Sequence, residues 1–245
     1  MTPSVFIGTS GWQYADWRDA FYPADVPTAR WLGHYASVFS TVEVNNTFYR
    51  LPEAATFDRW KRETPAGFVM AVKASRYLTH VRRLREPREP VDLFVSRAKW
   101  LGPRLGPVLL QLPPNLPAAP DRLAETLQAF GRRCRVAVEF RHRSWLTDEV
   151  FALLDRSRSA FVLADRPGAR IDPVVTGGWS YVRFHQGTRS GSGYRRAKLR
   201  VWADRIAALP AKEVFVYFNN DAHAAAPRDA MMLRSLLHDR DVRVL

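Results

Sequence analysis

Two glutamates stand where paired carboxylates could do chemistry. Glu43 lies in the run Thr41–Thr47, between Val42 and Val44, and Glu139 lies in Arg135–Arg141, between Val138 and Phe140. Carboxylates flanking a pocket can transfer protons or cleave glycosides. His185 closes a third such run, Ser180–His185, on the same alternate side as Arg183, and completes a candidate catalytic set of Glu43, Glu139 and His185. The bland alternative is that each carboxylate neutralises a neighbouring cation such as Lys73 or Arg141, since structural ion pairs perturb titration as readily as active sites do.

Lys73, Arg141 and Arg183 would bring three cations to one place. The planar fork of arginine suits phosphate and carboxylate, so the trio points to an anionic ligand. Ser75, His80, Gln111 and Asp165 end or follow other strands and join the candidate substrate-binding set. Asn45, Asn219 and Asp221 are placed to orient substrate or carboxylates. A Schiff base at Lys73 would need burial to lower its pKa. Trp12, Tyr14, Trp17 and Trp145 give some support to sugar chemistry, although aromatics serve packing more often.

No cofactor is predicted. A divalent metal is the minor alternative: Glu43, Glu139, Asp165 and His185 are ligand types that Zn or Mn accepts. Three nearby cations would repel such an ion, and no His-Glu-x-x-His motif exists.

These residues need a scaffold that gathers strand ends. Eight β-like runs are visible: Val5–Ser10, Thr41–Thr47, Phe68–Ser75, Pro107–Leu112, Arg135–Arg141, Ala160–Asp165, Ser180–His185 and Glu213–Asn219. Seven amphipathic stretches lie between or after them: Ala29–Phe39, Ala54–Glu63, Val91–Leu101, Asp121–Phe130, Asp148–Ser157, Ala197–Leu209 and Pro227–His238. Strands separated by helices imply parallel crossovers. The sixth connection, with Pro167, Gly168, Pro173, Gly177 and Gly178, lacks a helical pattern. The expectation is an α/β protein, a single-domain TIM-type (β/α)₈ barrel over residues 1–245, with a doubly wound open sheet as runner-up. In a barrel, alternate residues face the axis. That parity sends Glu43, Asn45, Lys73, Ser75, Glu139, Arg141, Arg183, His185 and Asn219 inward, toward the C-terminal face where enzymes of this architecture keep their sites.

Ordered short motifs add a resemblance. Ile7-Gly8-Thr9-Ser10-Gly11-Trp12, Thr41-Val42-Glu43-Val44-Asn45-Asn46-Thr47-Phe48-Tyr49, Lys73-Ala74-Ser75 with Thr79-His80, and Gln111-Leu112-Pro113-Pro114 come first. Val138-Glu139-Phe140-Arg141-His142, Val182-Arg183-Phe184-His185 and Tyr217-Phe218-Asn219-Asn220-Asp221 follow. Together they resemble the YecE-like family, the domain of unknown function 72, from residue 7 to about residue 230. The resemblance implies a TIM-type barrel and supplies no reaction.

Composition narrows the classes further. Lys plus Arg is 37 against 24 acids, a formal net charge of +13, and 47% of residues are hydrophobic, which supports a large core and excludes a disordered chain. Most of those cations are Arg, so a general compositional bias explains much of the charge. Two clusters stand out. Arg76, Arg82, Arg83, Arg85 and Arg88 follow the third strand; Arg189, Arg195, Arg196, Lys198, Arg200 and Arg205 follow the seventh. The loop Gln186–Tyr194, rich in Gly and Ser, could cradle a phosphate or act as a plain linker. The single cysteine, Cys134, excludes an internal disulfide. No signal-peptide pattern and no apolar run of about 20 residues is present, so a cytoplasmic protein without membrane contact is expected.

The expected function is an enzyme, a hydrolase, lyase or isomerase, acting on an anionic small molecule, phosphorylated in the favoured version. Arg141, Arg183 and Lys73 would hold the anion while Glu43, Glu139 and His185 share proton transfer. The alternatives are a nucleic-acid binder or nuclease using the basic loops, and a carbohydrate-active hydrolase.

Overall fold

The structure, a computed structural model, describes residues 2–166, 174–185 and 193–245. The eight expected strands form: β1 (Ser4–Thr9), β2 (Thr41–Val44), β3 (Val69–Lys73), β4 (Leu105–Gln111), β5 (Val136–Glu139), β6 (Ala160–Asp165), β7 (Ser180–Phe184) and β8 (Glu213–Phe218). A ninth, β9 (Arg243–Val244), was not expected. The helices are α1 (Trp31–Val38), α2 (Asn46–Tyr49), α3 (Ala54–Glu63), α4 (Arg88–Ala98), α5 (Pro120–Phe130), α6 (Asp148–Arg156), α7 (Arg196–Ala207) and α8 (Ala225–His238). Of these, α2 alone has no counterpart in the amphipathic pattern, because four residues are too few to show one. Among the described residues of the sixth connection there is no helix. Its Pro167, Gly168 and Pro173 lie outside the described residues, as does most of the Gln186–Tyr194 loop. No helix among the described residues is long and apolar enough to cross a membrane.

All strand pairings are parallel, in the order β2-β3-β4-β5-β6-β7-β8-β1-β9. This is the TIM-type arrangement. Its seam falls between β1 and β2. At the upper end a parallel bridge joins Ser10 to Glu43. Lower down, the Tyr35 hydroxyl accepts from Thr9 N at 2.8 Å and donates to Thr41 O at 3.0 Å, spanning the two strands. Gly8 is required there: a Cβ would sit 2.1 Å from Thr41 O. At the bottom β9 pairs with Ser4 and Val5 of β1, and Ser40 donates to Leu245 O.

Parity sorts the side chains into two cores. Val42, Val44, Met70, Val72, Val108, Leu110, Val138, Val182, Val214 and Val216 face the helices. Phe6, Ala71, Leu109, Ala137, Val162, Trp179, Tyr181, Phe215 and Tyr217 fill the barrel. Phe6 and Phe215 stack at 4.8 Å, and Trp179 meets Phe215 edge-on at 5.9 Å. Dense aromatic packing plugs the interior below the polar layer, so anything the barrel binds must approach from the C-terminal end.

Three strands stop two or more residues earlier than the alternation suggested. The runs expected to reach Thr47, Ser75 and Arg141 end at Val44, Lys73 and Glu139. Local hydrogen bonds explain this. Thr47 Oγ1 donates to Val44 O at 3.1 Å and Lys73 O at 2.7 Å, Ser75 Oγ accepts from Leu78 N at 3.3 Å, and His142 Nδ1 accepts from Ser144 N at 3.2 Å. Such side chains offer the backbone an alternative to the ladder.

Candidate functional site

The polar layer at the C-terminal ends of the strands centres on Arg183 of β7, which is 1% exposed. Its Nε and Nη2 reach Glu43 Oε2 and Oε1 at 2.9 and 2.7 Å, a two-pronged pair. Its Nη1 reaches Glu139 Oε2 at 2.6 Å and lies 3.4 Å from His185 Nε2, while Nη2 lies 3.4 Å from Asn219 Oδ1. Guanidinium carries five donors; four meet oxygens of Glu43, Glu139 and Asn219, and the fifth faces His185 Nε2, which accepts it only in the tautomer protonated at Nδ1.

Each carboxylate is held from further sides. Tyr181 OH donates to Glu43 Oε2 at 2.7 Å. Gln111 Nε2 donates to Glu139 Oε2 at 3.0 Å, Arg141 Nε donates to Glu139 Oε1 at 3.0 Å, and His185 Nε2 lies 3.5 Å from Glu139 Oε1. Burial by itself would push both carboxyls up. The Arg183 guanidinium outweighs it, with Tyr181 helping at Glu43 and with His185 and Arg141 at Glu139, so both sit below the usual carboxylate range, Glu139 well below. Both are therefore ionised at neutral pH. His185 is pushed down from 6.5, first by burial and then by Arg183, against the pull of Glu139, and is neutral at pH 7.

Lys73 differs from the other cations of the layer. Its Nζ lies 4.2 Å from the centre of the Phe48 ring and, among the described residues, makes no ion pair. Burial, reinforced by Arg183 and Arg141 and opposed by Glu43 and Glu139, lowers its pKa to about 8. His80 packs edge-on to Phe48 at 5.0 Å, with Nδ1 2.9 Å from Thr79 Oγ1. Burial and then Lys73, Arg76 and Arg141 lower it to about 4. Arg141 keeps its terminal nitrogens without a hydrogen bond among the described residues, and its side chain is 32% exposed.

The structure thus gathers Glu43, Glu139, Arg183, His185, Gln111, Arg141 and Asn219 in direct contact. Asn45 joins through Asn219 Oδ1 at 3.3 Å, and Lys73 and His80 meet at Phe48. Ser75 Oγ accepts from Leu78 N of the Tyr77–Val81 turn. Asp221 lies beyond β8, half-buried; burial and then Asp16 raise its carboxyl, and its carbonyl accepts from Trp17 Nε1 at 2.8 Å. Asp165 is apart from the cluster. It shares the helix-facing parity of Phe161 and Leu163, and its Oδ2 lies 2.6 Å from Lys198 Nζ of α7. Among the described residues no set of His, Cys, Asp or Glu could hold a metal ion. The oxygens of Glu43 and Glu139 are already spent on Arg183 and its neighbours, so the residues do not fit one.

Two contributors, Tyr181 and Phe48, were not singled out from sequence, and Tyr14 was read there only as one of four aromatics that could suit a sugar. Tyr181 had a usable signal, inward parity two residues before Arg183. Phe48 had none, since it sits in the α2 turn rather than on a strand. The Tyr14 hydroxyl donates to Ser10 O at 2.6 Å; burial and then the charges of Asp221 and Glu43 raise its phenol. Of the basic loops, Arg82 pairs with Glu86, Arg83 donates to Asn115 O at 2.6 Å, and Lys198 pairs with Asp165. Arg76, Arg85, Arg88, Arg195 and Arg196 are exposed without an ion pair among the described residues. Arg189 lies outside them.

A parallel barrel with a buried polar layer across its C-terminal end defines a TIM-type α/β protein. The chain belongs to the family described as "Protein of unknown function DUF72", which it matches over residues 6–244. It is 28% identical to the UPF0759 protein YunF of Bacillus subtilis, over 95% of this chain and 94% of that one. It is 30% identical to the UPF0759 protein YecE of Escherichia coli K12, over 56% of this chain and 48% of that one. The crystal structure of a DUF72 family protein from Thermotoga maritima superposes with a TM-score of 0.84 at 28% identity, covering 96% of this chain and 99% of the other.

Proposed function

We propose that the mouth of the barrel is the site of an enzyme that binds a small anionic substrate, favoured as a phosphate ester, and transfers a proton beside the anionic group. The observation that carries the reading is Lys73, an ammonium largely covered by protein and lacking a carboxylate partner among the described residues. Burying an unpaired charge is unfavourable, and an anion seated between Lys73 Nζ and the free nitrogens of Arg141 would relieve it.

Glu43, Arg183 and Glu139 form the fixed floor, each charge matched. The floor's own groups are poorly placed to exchange protons, because a carboxylate must leave its guanidinium to accept one. Neutral His185 beside Glu139, and Lys73 near 8, are the groups able to exchange protons near physiological pH. Titration calorimetry with inorganic phosphate and with a panel of phosphorylated metabolites tests this. Binding should weaken as pH rises through about 8, where Lys73 loses its proton, and Lys73→Met should abolish it. Binding unaffected by Lys73→Met would overturn the assignment.

A further inference from the structure

Beside the anion seat lies a cavity of about 250 Å³, lined among others by Phe48, Tyr49, Ser75, Tyr77 and Glu89. It is built at the C-terminal ends of β2 and β3, from α2, the Tyr77–Val81 turn and the start of α4. Two of its rings stand unusually far into solvent: Tyr49 is 80% exposed and Tyr77 53%. Phe48 is the wall common to both places, because its ring also lies against Lys73 Nζ and His80. Single exposed apolar side chains are ordinary, whereas exposed apolar surface gathered at one groove marks a binding site; here both rings face the same concavity.

We infer that this cavity is a nucleobase subsite and that the substrate class of the barrel is a nucleotide, its phosphate at Lys73 and Arg141 and its base against the exposed rings of Tyr49 and Tyr77, with Phe48, edge-on to Tyr49 at 5.1 Å, as the wall behind them. The inference rests on the anion seat proposed above. Three features select the occupant. The aromatic faces suit a flat ring, since bases stack on aromatic side chains whatever their identity. The volume is below the roughly 300–1,000 Å³ of pockets that enclose a whole drug-sized ligand, and so suits one ring system with the rest of the molecule outside. Glu89, exposed and without an ion pair among the described residues, repels a phosphate from this end and accepts from the ring or exocyclic N–H of a base. The charges therefore fix the orientation, with the base toward Glu89 and the phosphate toward Lys73.

Titration of the intact chain with AMP, ribose 5-phosphate and adenosine separates the two subsites. AMP should bind about tenfold or more tightly than ribose 5-phosphate, the gain expected of one stacked base. Tyr77→Ala and Tyr49→Ala should each weaken AMP about fivefold or more and leave ribose 5-phosphate unchanged. Both tyrosines are exposed, so neither change endangers folding. Lys73→Met should abolish binding of both phosphates and spare adenosine. Equal binding of AMP and ribose 5-phosphate, or tyrosine variants that leave AMP unaffected, would overturn the base subsite while the anion seat stands. Failure of both phosphates to bind would overturn the two together. A short single-stranded DNA that competes better than AMP would place the nucleotide at the end of a strand, and equal competition would place it free in solution; either outcome supports the subsite.

Discussion

Lys73→Met should stabilise the fold while removing its ligand. Burial holds the lysine near 8 instead of its ordinary 10.5. At about 1.36 kcal/mol per pH unit, that difference sets about 3 kcal/mol against the charged form at pH 7. The contact between Nζ and the Phe48 ring, at 4.2 Å, offsets about 1 kcal/mol of this. Methionine fills much the same volume without charge, so the variant should gain about 2 kcal/mol at pH 7. The sign of the pH dependence follows from the direction of the shift. Between about pH 8 and 10.5 the unfolded chain holds the lysine proton while the folded chain has released it, so the native protein becomes more stable across that window as far as this group is concerned. The methionine variant has no such group, and its advantage should shrink as pH rises. Urea denaturation of both proteins at pH 7 and pH 10 measures the effect. A variant less stable than the parent at pH 7, or an advantage that does not narrow by pH 10, would refute the reasoning. Stability gained where ligand binding is lost is the pattern expected of a side chain kept for function.

Arg183→Lys keeps the charge and loses the fork, leaving Glu43 or Glu139 without its partner; the expected loss is about 3 kcal/mol or more, read as a lower urea midpoint. Gly8→Ala must push β1 from β2, because the new Cβ would meet the Thr41 carbonyl, and should cost about 3 kcal/mol in the same assay. Tyr35→Phe leaves Thr9 N and Thr41 O without the bridging hydroxyl and should cost about 2 kcal/mol. Glu43 and Glu139 are held below their unfolded pKa values, so the stability they contribute is complete above about pH 4.5 and drains away as pH falls below it. An acid titration followed by circular dichroism should show stability declining from that point, and a flat profile down to pH 2 would contradict the ion-paired floor.

Alternation made most of the barrel legible. Val42 and Val44 against Glu43, or Val182 and Phe184 against Arg183, specify which side faces the helices, and the structure places Glu43, Glu139 and Arg183 on the inward side accordingly. Asp165 obeys the same rule, since Phe161 and Leu163 share its parity, and its partner Lys198 lies on the helix that packs outside. The seam was not legible. A strand of two residues, Arg243–Val244, carries no periodicity, and the Tyr35 hydroxyl that ties β1 to β2 belongs to a helix whose pattern says only that the ring is buried. Nor does parity say which inward acid meets which inward base. That depends on the register between strands far apart in sequence, as when Arg183 of β7 reaches across to Glu43 of β2.

That pairing divides the labour among the charges. Three cations of the layer read alike in the sequence, yet they have different neighbours. Arg183 is fully matched by two carboxylates, Arg141 is matched on one side only, and Lys73 rests on an aromatic face, near Glu43 and Glu139 but without an ion pair among the described residues. A site meant only to plug the barrel would have matched all three, because an unpaired buried charge costs more than an apolar replacement. The mismatch increases from Arg183 to Arg141 to Lys73, and Lys73 lies against Phe48, a wall of the cavity that Tyr49 and Tyr77 also line. Uncompensated charge beside open aromatic surface is what a ligand with an anionic end and a flat end would require of the protein that holds it.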